Sequence, residues 1–167
     1  MDNTHLIDAS NLLLPATTLV EGCYYDMFYY CTSLTSTPAL PATTLADYCY
    51  AYMFVSCTSL TTTPALPVTT LTDYCYASMF HGCTSLTTAP ELPATTLTIG
   101  CYSNMFTRCT KLNYIKCLAT DISAPGCTTS WVSSIAASGT FVKDPSMGSW
   151  TEGTNGIPSG WTVQDAA

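Results

Sequence analysis

Leu40-Pro-Ala-Thr-Thr-Leu-Ala-Asp-Tyr-Cys-Tyr-Ala-Tyr-Met-Phe-Val-Ser-Cys-Thr-Ser-Leu-Thr-Thr-Thr-Pro-Ala65 is one unit of a repeat, and its copies organise the chain on both sides of it. Leu-Pro-(Ala/Val)-Thr-Thr-Leu begins at Leu14, Leu40, Leu66 and Leu92, a step of 26 residues. The same step links Cys23/Cys49/Cys75/Cys101, Met27/Met53/Met79/Met105, Phe28/Phe54/Phe80/Phe106, Cys31/Cys57/Cys83/Cys109 and Leu34/Leu60/Leu86/Leu112. A fixed period of this size is the signature of stacked repeats, in which each unit buries its apolar face against its neighbours.

Within the unit, Cys, Met-Phe, Cys and Leu fall on spacings that suit one face of a short helix and the turn after it. Thr18-Leu-Val-Glu21, Thr44-Leu-Ala-Asp47 and Thr70-Leu-Thr-Asp73 place an acid three residues after a threonine, as a capping box does; Thr96-Leu-Thr-Ile99 lacks the acid. The Thr-rich segment after the second cysteine is the candidate strand. Pro38, Pro64 and Pro90 lie in it and cannot donate to a ladder, so the middle strands should be short. Lys116 and Val142 take the proline's place later, where residues 113–118 and 140–143 should pair better.

The expected fold class is α/β: a solenoid of five to six 26-residue turns, with short parallel strands on one side and short helices on the other. Residues 1–167 form one such unit. Residues 1–13 are an incomplete first turn entering in mid-repeat, with His5 in the Cys31 column. Residues 14–117 are four regular repeats, and residues 118–145 are a degenerate fifth, in which Cys127 continues the first cysteine column and Trp131 the methionine column. Residues 146–167, rich in Gly and Ser and holding Trp150 and Trp161, read as a C-terminal cap. Solenoids need polar caps over open ends. The few residues ahead of His5 are too short for one, so an upstream domain of the same polypeptide is expected.

At Cys49-Tyr-Ala-Tyr-Met-Phe-Val-Ser-Cys-Thr-Ser-Leu60 followed by Leu66-Pro67 the chain resembles the BspA-like leucine-rich repeat, Ile-x3-Ala-Phe-x2-Cys-x2-Leu-x2-Ile-x-Leu-Pro. Cys49 stands at the family's Ile, Met53-Phe54 at its Ala-Phe, Cys57 at its Cys and Leu60 at its Leu. The resemblance covers roughly residues 5–145 and departs in Cys for Ile, Met for Ala and extra residues per turn. It implies a bacterial surface or secreted protein, of the kind found in gut Bacteroidales, that works in adhesion by binding protein or glycan. The alternative reading is a phage or prophage tail-fibre module for host recognition, hence a virion location.

Composition narrows the partners. Eleven acids against four bases give a net charge of −7, which disfavours nucleic acid, whose phosphates need a Lys/Arg patch. There is no apolar run long enough to span a membrane, and Met1-Asp-Asn-Thr-His5 lacks a signal peptide's basic start. Leu14-Pro-Ala-Thr-Thr18 superficially resembles a sortase signal, but that signal belongs at a C-terminus and this string recurs internally.

The cysteines invite a disulfide ladder or a metal site. Eight residues along a helix is about 12 Å, too far for a bridge, and metal sites favour closer pairs. Buried free thiols fit the spacing best. No cofactor is expected and no enzyme: Ser, His and Asp occur, but none recurs in a converging arrangement. Tyr25, Tyr29, Tyr30, Tyr48 and Tyr52 crowd one part of the repeat and cannot all be interior. They read either as a stacked ladder shielding the backbone or as a binding surface for a protein or host-surface ligand, a role tyrosine suits. Variation between copies points to the second. It concentrates at Tyr29-Tyr30, Val55-Ser56, His81-Gly82 and Thr107-Arg108, and around the first cysteine of each copy.

Overall fold

The computed structural model describes residues 5–148 and 150–167; the first four residues of the incomplete turn and Ser149 of the cap segment lie outside them. Among the described residues three strands form one parallel sheet in the order β1-β2-β3: β1 is Tyr114–Cys117, β2 is Thr140–Lys143 and β3 is Thr162–Asp165. Ile115 pairs with Phe141, and Phe141 with Val163. Upstream, where proline stands in the Lys116 column, the described residues form only isolated parallel bridges, such as Thr18–Thr44 and Thr88–Tyr114. Threonine hydroxyls supplement them by donating to carbonyls of the preceding repeat: Thr35 to Ile7 (2.9 Å), Thr61 to Thr35 (3.4 Å) and Thr98 to Thr72 (2.7 Å).

The helices expected opposite the strands do not exist: no described residue is helical. Residues 21–30, 47–56, 73–82, 99–108 and 125–134 are instead arcs of consecutive tight turns. Every fourth residue has a positive φ: Asp26 and Tyr30; Tyr48, Tyr52 and Ser56; Tyr74 and Ser78; Asn104 and Arg108; Ser130 and Ser134, with Gly22, Gly82, Gly100 and Gly126 completing the columns. A left-handed residue every four positions is incompatible with an α-helix.

Hydrogen bonding in the arcs alternates. Odd residues close local turns, as Tyr25 N–H to Gly22 O (3.1 Å) and Tyr29 N–H to Asp26 O (3.0 Å). Even residues donate to the next repeat: Gly22 to Asp47 O, Tyr24 to Cys49 O, Asp26 to Ala51 O, Phe28 to Met53 O and Tyr30 to Val55 O, at 2.8–3.2 Å. The same five-bond row recurs at each later junction, ending with Phe106 N–H to Trp131 O (2.9 Å) and Arg108 N–H to Ser133 O (2.8 Å). Trp131 thus stands in the methionine column.

The capping boxes are corrected with the helices. Asp47 Oδ1 accepts from Asp73 N–H and Asp73 Oδ1 from Ile99 N–H, both at 3.1 Å. These carboxylates tie one repeat to the next and cap nothing. The start of the chain is corrected too. Asp8 bridges Ser36 and Thr35 N–H donates to Ile7 O, a step of 28, so Leu6 rather than His5 packs towards the core there, and His5 is exposed.

Two aromatic columns fill the core. Tyr24, Tyr50, Tyr76 and Tyr102 stack at 5.6–6.3 Å, and Phe28, Phe54, Phe80 and Phe106 at 5.3–5.9 Å. Both end on Trp131, which stacks on Trp150 at 5.7 Å. The ten cysteines are free, nine of them buried and Cys23 exposed. The second column has a polar task as well: Cys57, Cys83 and Cys109 donate Sγ–H to the carbonyls of Phe28, Phe54 and Phe80 at 3.0–3.1 Å. Burial pushes the Cys57 and Cys109 thiols up to about 12, which keeps the donor proton in place.

Candidate functional site

The tyrosines divide by position in the arc. Tyr24, Tyr50, Tyr76 and Tyr102, one after each first cysteine, are the interior ladder. Tyr25, Tyr29, Tyr30 and Tyr48 are exposed and Tyr52 is half-buried. The five are neighbours, with Tyr25 and Tyr48 beside Tyr52, but they differ in what their rings pack on. Tyr48 stacks on Tyr74 at 4.8 Å. That stack runs towards Gly100, where an added Cβ would lie 2.2 Å from the Tyr74 ring. Tyr25 packs on Tyr52 at 5.2 Å, and Tyr29 on Tyr30 at 4.7 Å.

Tyr29, Tyr30 and Tyr52 do converge, with Val55, Ser56, Ser78, His81, Gly82 and Arg108, on a cleft of about 240 Å³. Seven of these nine residues come from the variable positions before the second cysteine of four successive copies. The local fold explains the convergence. The arcs hold equivalent residues one repeat apart, and the left-handed column Tyr30/Ser56/Gly82/Arg108 runs across them. Each of those residues has its N–H tied to the following repeat, at 2.7–2.8 Å, so the cleft wall is fixed by backbone.

The cleft is aromatic and weakly basic. Burial, then the charge of Arg108, depresses the His81 pKa below its ordinary value, so the imidazole is neutral at neutral pH. Lys116 pairs with Glu91 (2.9 Å) and Lys143 with Asp165 (2.7 Å), while no ion pair holds Arg108 among the described residues. Arg108 was not singled out in the sequence as a site residue; the signal was a base at a variable position in a chain with few bases. A larger hollow of about 340 Å³ lies between Ala65, Leu66, Pro67, Glu91 and Pro93. It is the groove between successive Leu-Pro motifs and brings no set of polar groups together.

No group of three or more His, Cys, Asp or Glu with metal-binding geometry occurs among the described residues. Compared with known proteins, the chain matches no family model, no curated protein and no solved structure.

Proposed function

We propose that the chain is a non-catalytic binding module, a leucine-rich-repeat-like solenoid that engages a protein or glycan on behalf of a bacterial surface or secreted protein. Its motif resembles BspA-like repeats. One observation carries the reading: positions that differ between otherwise near-identical copies come together in a single cleft of tyrosines, a neutral histidine and an unpaired arginine. Such rings offer broad, rigid contact area with a polar edge, and a guanidinium beside them suits a carboxylate or a sugar hydroxyl. The repeats act as the scaffold that holds these groups still.

Screening the intact chain on an array of neutral and acidic glycans and on immobilised cell-surface protein tests this. Changing Tyr29, Tyr30 and Tyr52 together to Ser should weaken a ligand so found at least tenfold, about 1.4 kcal/mol, with the fold intact. Undiminished binding after that change, with loss after Thr61 and Thr87 are altered instead, moves the site to the strand side and refutes the assignment.

A further inference from the structure

The cleft at Tyr29, Tyr30 and Tyr52 differs from the rest of the surface in charge and in what its backbone leaves to offer. The chain carries 11 acids and 4 bases, yet none of the described residues lining the cleft is acidic and one of them is Arg108. Every backbone N–H around it is already bonded. Those of Tyr30, Ser56, Gly82 and Arg108 donate to the following repeat, and those of the other five lining residues have acceptors as well. A ligand that needs donors must find them on side chains.

The column Tyr30, Ser56, Gly82, Arg108 passes from ring to hydroxyl to bare backbone to guanidinium. Gly82 keeps the middle open, because a Cβ added there would lie 3.2 Å from Ser56 Oγ. The volume of about 240 Å³ falls below the roughly 300–1,000 Å³ of pockets for drug-sized ligands, so the cleft suits a single ring.

We propose that this ring is a carboxylated sugar, its apolar face against the tyrosines and its carboxylate on Arg108. The proposal rests on the reading of the cleft as the binding site and names what that site selects. A guanidinium holds a carboxylate through two parallel N–H bonds. The sugar hydroxyls meet Ser56, Ser78 and the neutral His81 imidazole, which offers one donor and one acceptor. A peptide is the weaker candidate, since main chain is recognised by pairing with free N–H and C=O groups and the N–H groups here are taken. A bare anion lacks the nest of N–H groups that would cradle it.

His81 makes the binding pH-dependent. The groups lining the cleft with it are Arg108, the three tyrosines and uncharged residues, with no carboxylate among them. Burial, then Arg108, holds its pKa below the ordinary value, so acidification adds a second positive charge beside a carboxylate that stays ionised down to about pH 4. Affinity for the acid should therefore rise as pH falls through the His81 value.

The test is a panel of uronic- and sialic-acid glycosides, each paired with the counterpart whose carboxyl is reduced to a primary alcohol, titrated into the intact chain by ligand-observed NMR. At least one acid should bind at least tenfold more tightly than its alcohol. Arg108→Asn, a residue that tolerates positive φ, should bring the acid down to the level of the alcohol, while Tyr29, Tyr30 and Tyr52 changed together to Ser should weaken both. His81→Gln should flatten the rise at low pH. If Arg108→Asn unfolds, Arg108→Gly adopts this φ freely and takes its place; the ligand pairs leave the protein untouched in any case. Equal binding of acids and alcohols, lost in the triple tyrosine variant, overturns the carboxylate assignment and leaves the cleft as a neutral-sugar site. A preference for acid that survives both Arg108 variants overturns it too. Failure to bind any glycoside, with capture of a cell-surface protein that the triple variant abolishes, overturns the sugar while keeping the cleft.

Discussion

The positive-φ columns make a prediction that separates this architecture from a helical one. Asn104 sits in the middle of the fourth arc with φ at 54°, half-buried, its N–H bonded to Thr129 O at 2.8 Å and its side chain donating to Ser103 Oγ. A β-branched residue there must hold the left-handed conformation, at about 1–2 kcal/mol or more. It cannot relax without loosening the Thr129 bond and the adjacent Met105–Tyr102 turn (3.0 Å). Asn104→Val should therefore lower stability by about 2 kcal/mol, while Asn104→Gly, which adopts this φ freely, should be close to neutral. Ser103→Val is the control. It breaks the same Ser103–Asn104 side-chain bond and installs the same valine next door, at a half-buried residue without a positive φ, and should cost under about 1 kcal/mol. Guanidinium unfolding followed by circular dichroism reads all three, and for a chain of this length 2 kcal/mol corresponds to roughly 4–8 °C in Tm. Equal midpoints for Asn104→Val and Asn104→Gly, or as large a loss for Ser103→Val, would show that φ at this column is not what the sequence is answering to.

Other expectations follow from the same contacts. One thiol, Cys23, should react rapidly in the native protein and all ten in denaturant without reductant; two or fewer in denaturant would mean the columns are bridged. Asp73→Ala removes the acceptor of the solvent-exposed Ile99 N–H and should cost about 0.5–1 kcal/mol, whereas Asp73→Asn keeps an acceptor oxygen and should cost much less; equal losses would point to charge instead of the hydrogen bond. Ser146 donates to Asp144 from both its hydroxyl and its N–H (2.6 and 2.8 Å), and these bonds hold the Asp144 carboxyl below its ordinary value, as Ser36 does for Asp8 and Ser123 for Asp121. Because these folded-state values are depressed, the stability they contribute is present above about pH 4, the unfolded value. It is lost as pH falls through the folded values. An NMR titration should find the Asp144 midpoint below 3.8, and a midpoint at or above it refutes the assignment.

The repeat, its step and the stronger pairing at Tyr114–Cys117 and Thr140–Lys143 were legible, because apolar columns and prolines report directly on burial and on ladder donors. The local conformation was not. Cys49, Met53 and Cys57 are four residues apart, a spacing that an α-helix and an arc of tight turns satisfy equally when only one face is buried. The distinguishing signal lay in the positions between them. The columns starting at residues 22, 26 and 30 hold Gly, Tyr, Ser, Asp, Asn and Arg and never Val, Ile or Thr, in a chain where threonine is otherwise everywhere. Excluding β-branched residues every fourth position is what left-handed backbone demands, and a helix has no such rule. Asp47 and Asp73 misled for a related reason: an acid three residues after a threonine caps a helix, but it equally meets the N–H of its own counterpart one repeat on. At the candidate site, variation between copies located the cleft, while Arg108 in its lining and Tyr48 outside it depended on which columns lie side by side across repeats.

The alternation of donors and acceptors also bears on how such a scaffold can carry variable chemistry. Stacking here rests on backbone groups, on the buried aromatic columns, and on the cysteine thiols that reach the phenylalanine carbonyls. Apart from the Thr107 hydroxyl, which donates to the Ser130 carbonyl of the next repeat, none of these uses the side chains at Tyr29, Val55, His81 and Thr107, or at Tyr30, Ser56, Gly82 and Arg108. Val55, His81 and Thr107 each accept a backbone N–H from the preceding repeat, and Tyr30, Ser56, Gly82 and Arg108 each donate one to the following repeat, so exchanging side chains at these positions leaves those bonds in place. The second set is held left-handed, which excludes β-branched residues but admits charged, aromatic and small ones. Side chains can therefore change at this surface with less effect on stability, whereas the interior columns at Cys49, Tyr50, Met53, Phe54 and Cys57 cannot change without disturbing two junctions at once. That separation accounts for a chain whose copies are nearly identical inside yet diverge where their side chains meet in one cleft.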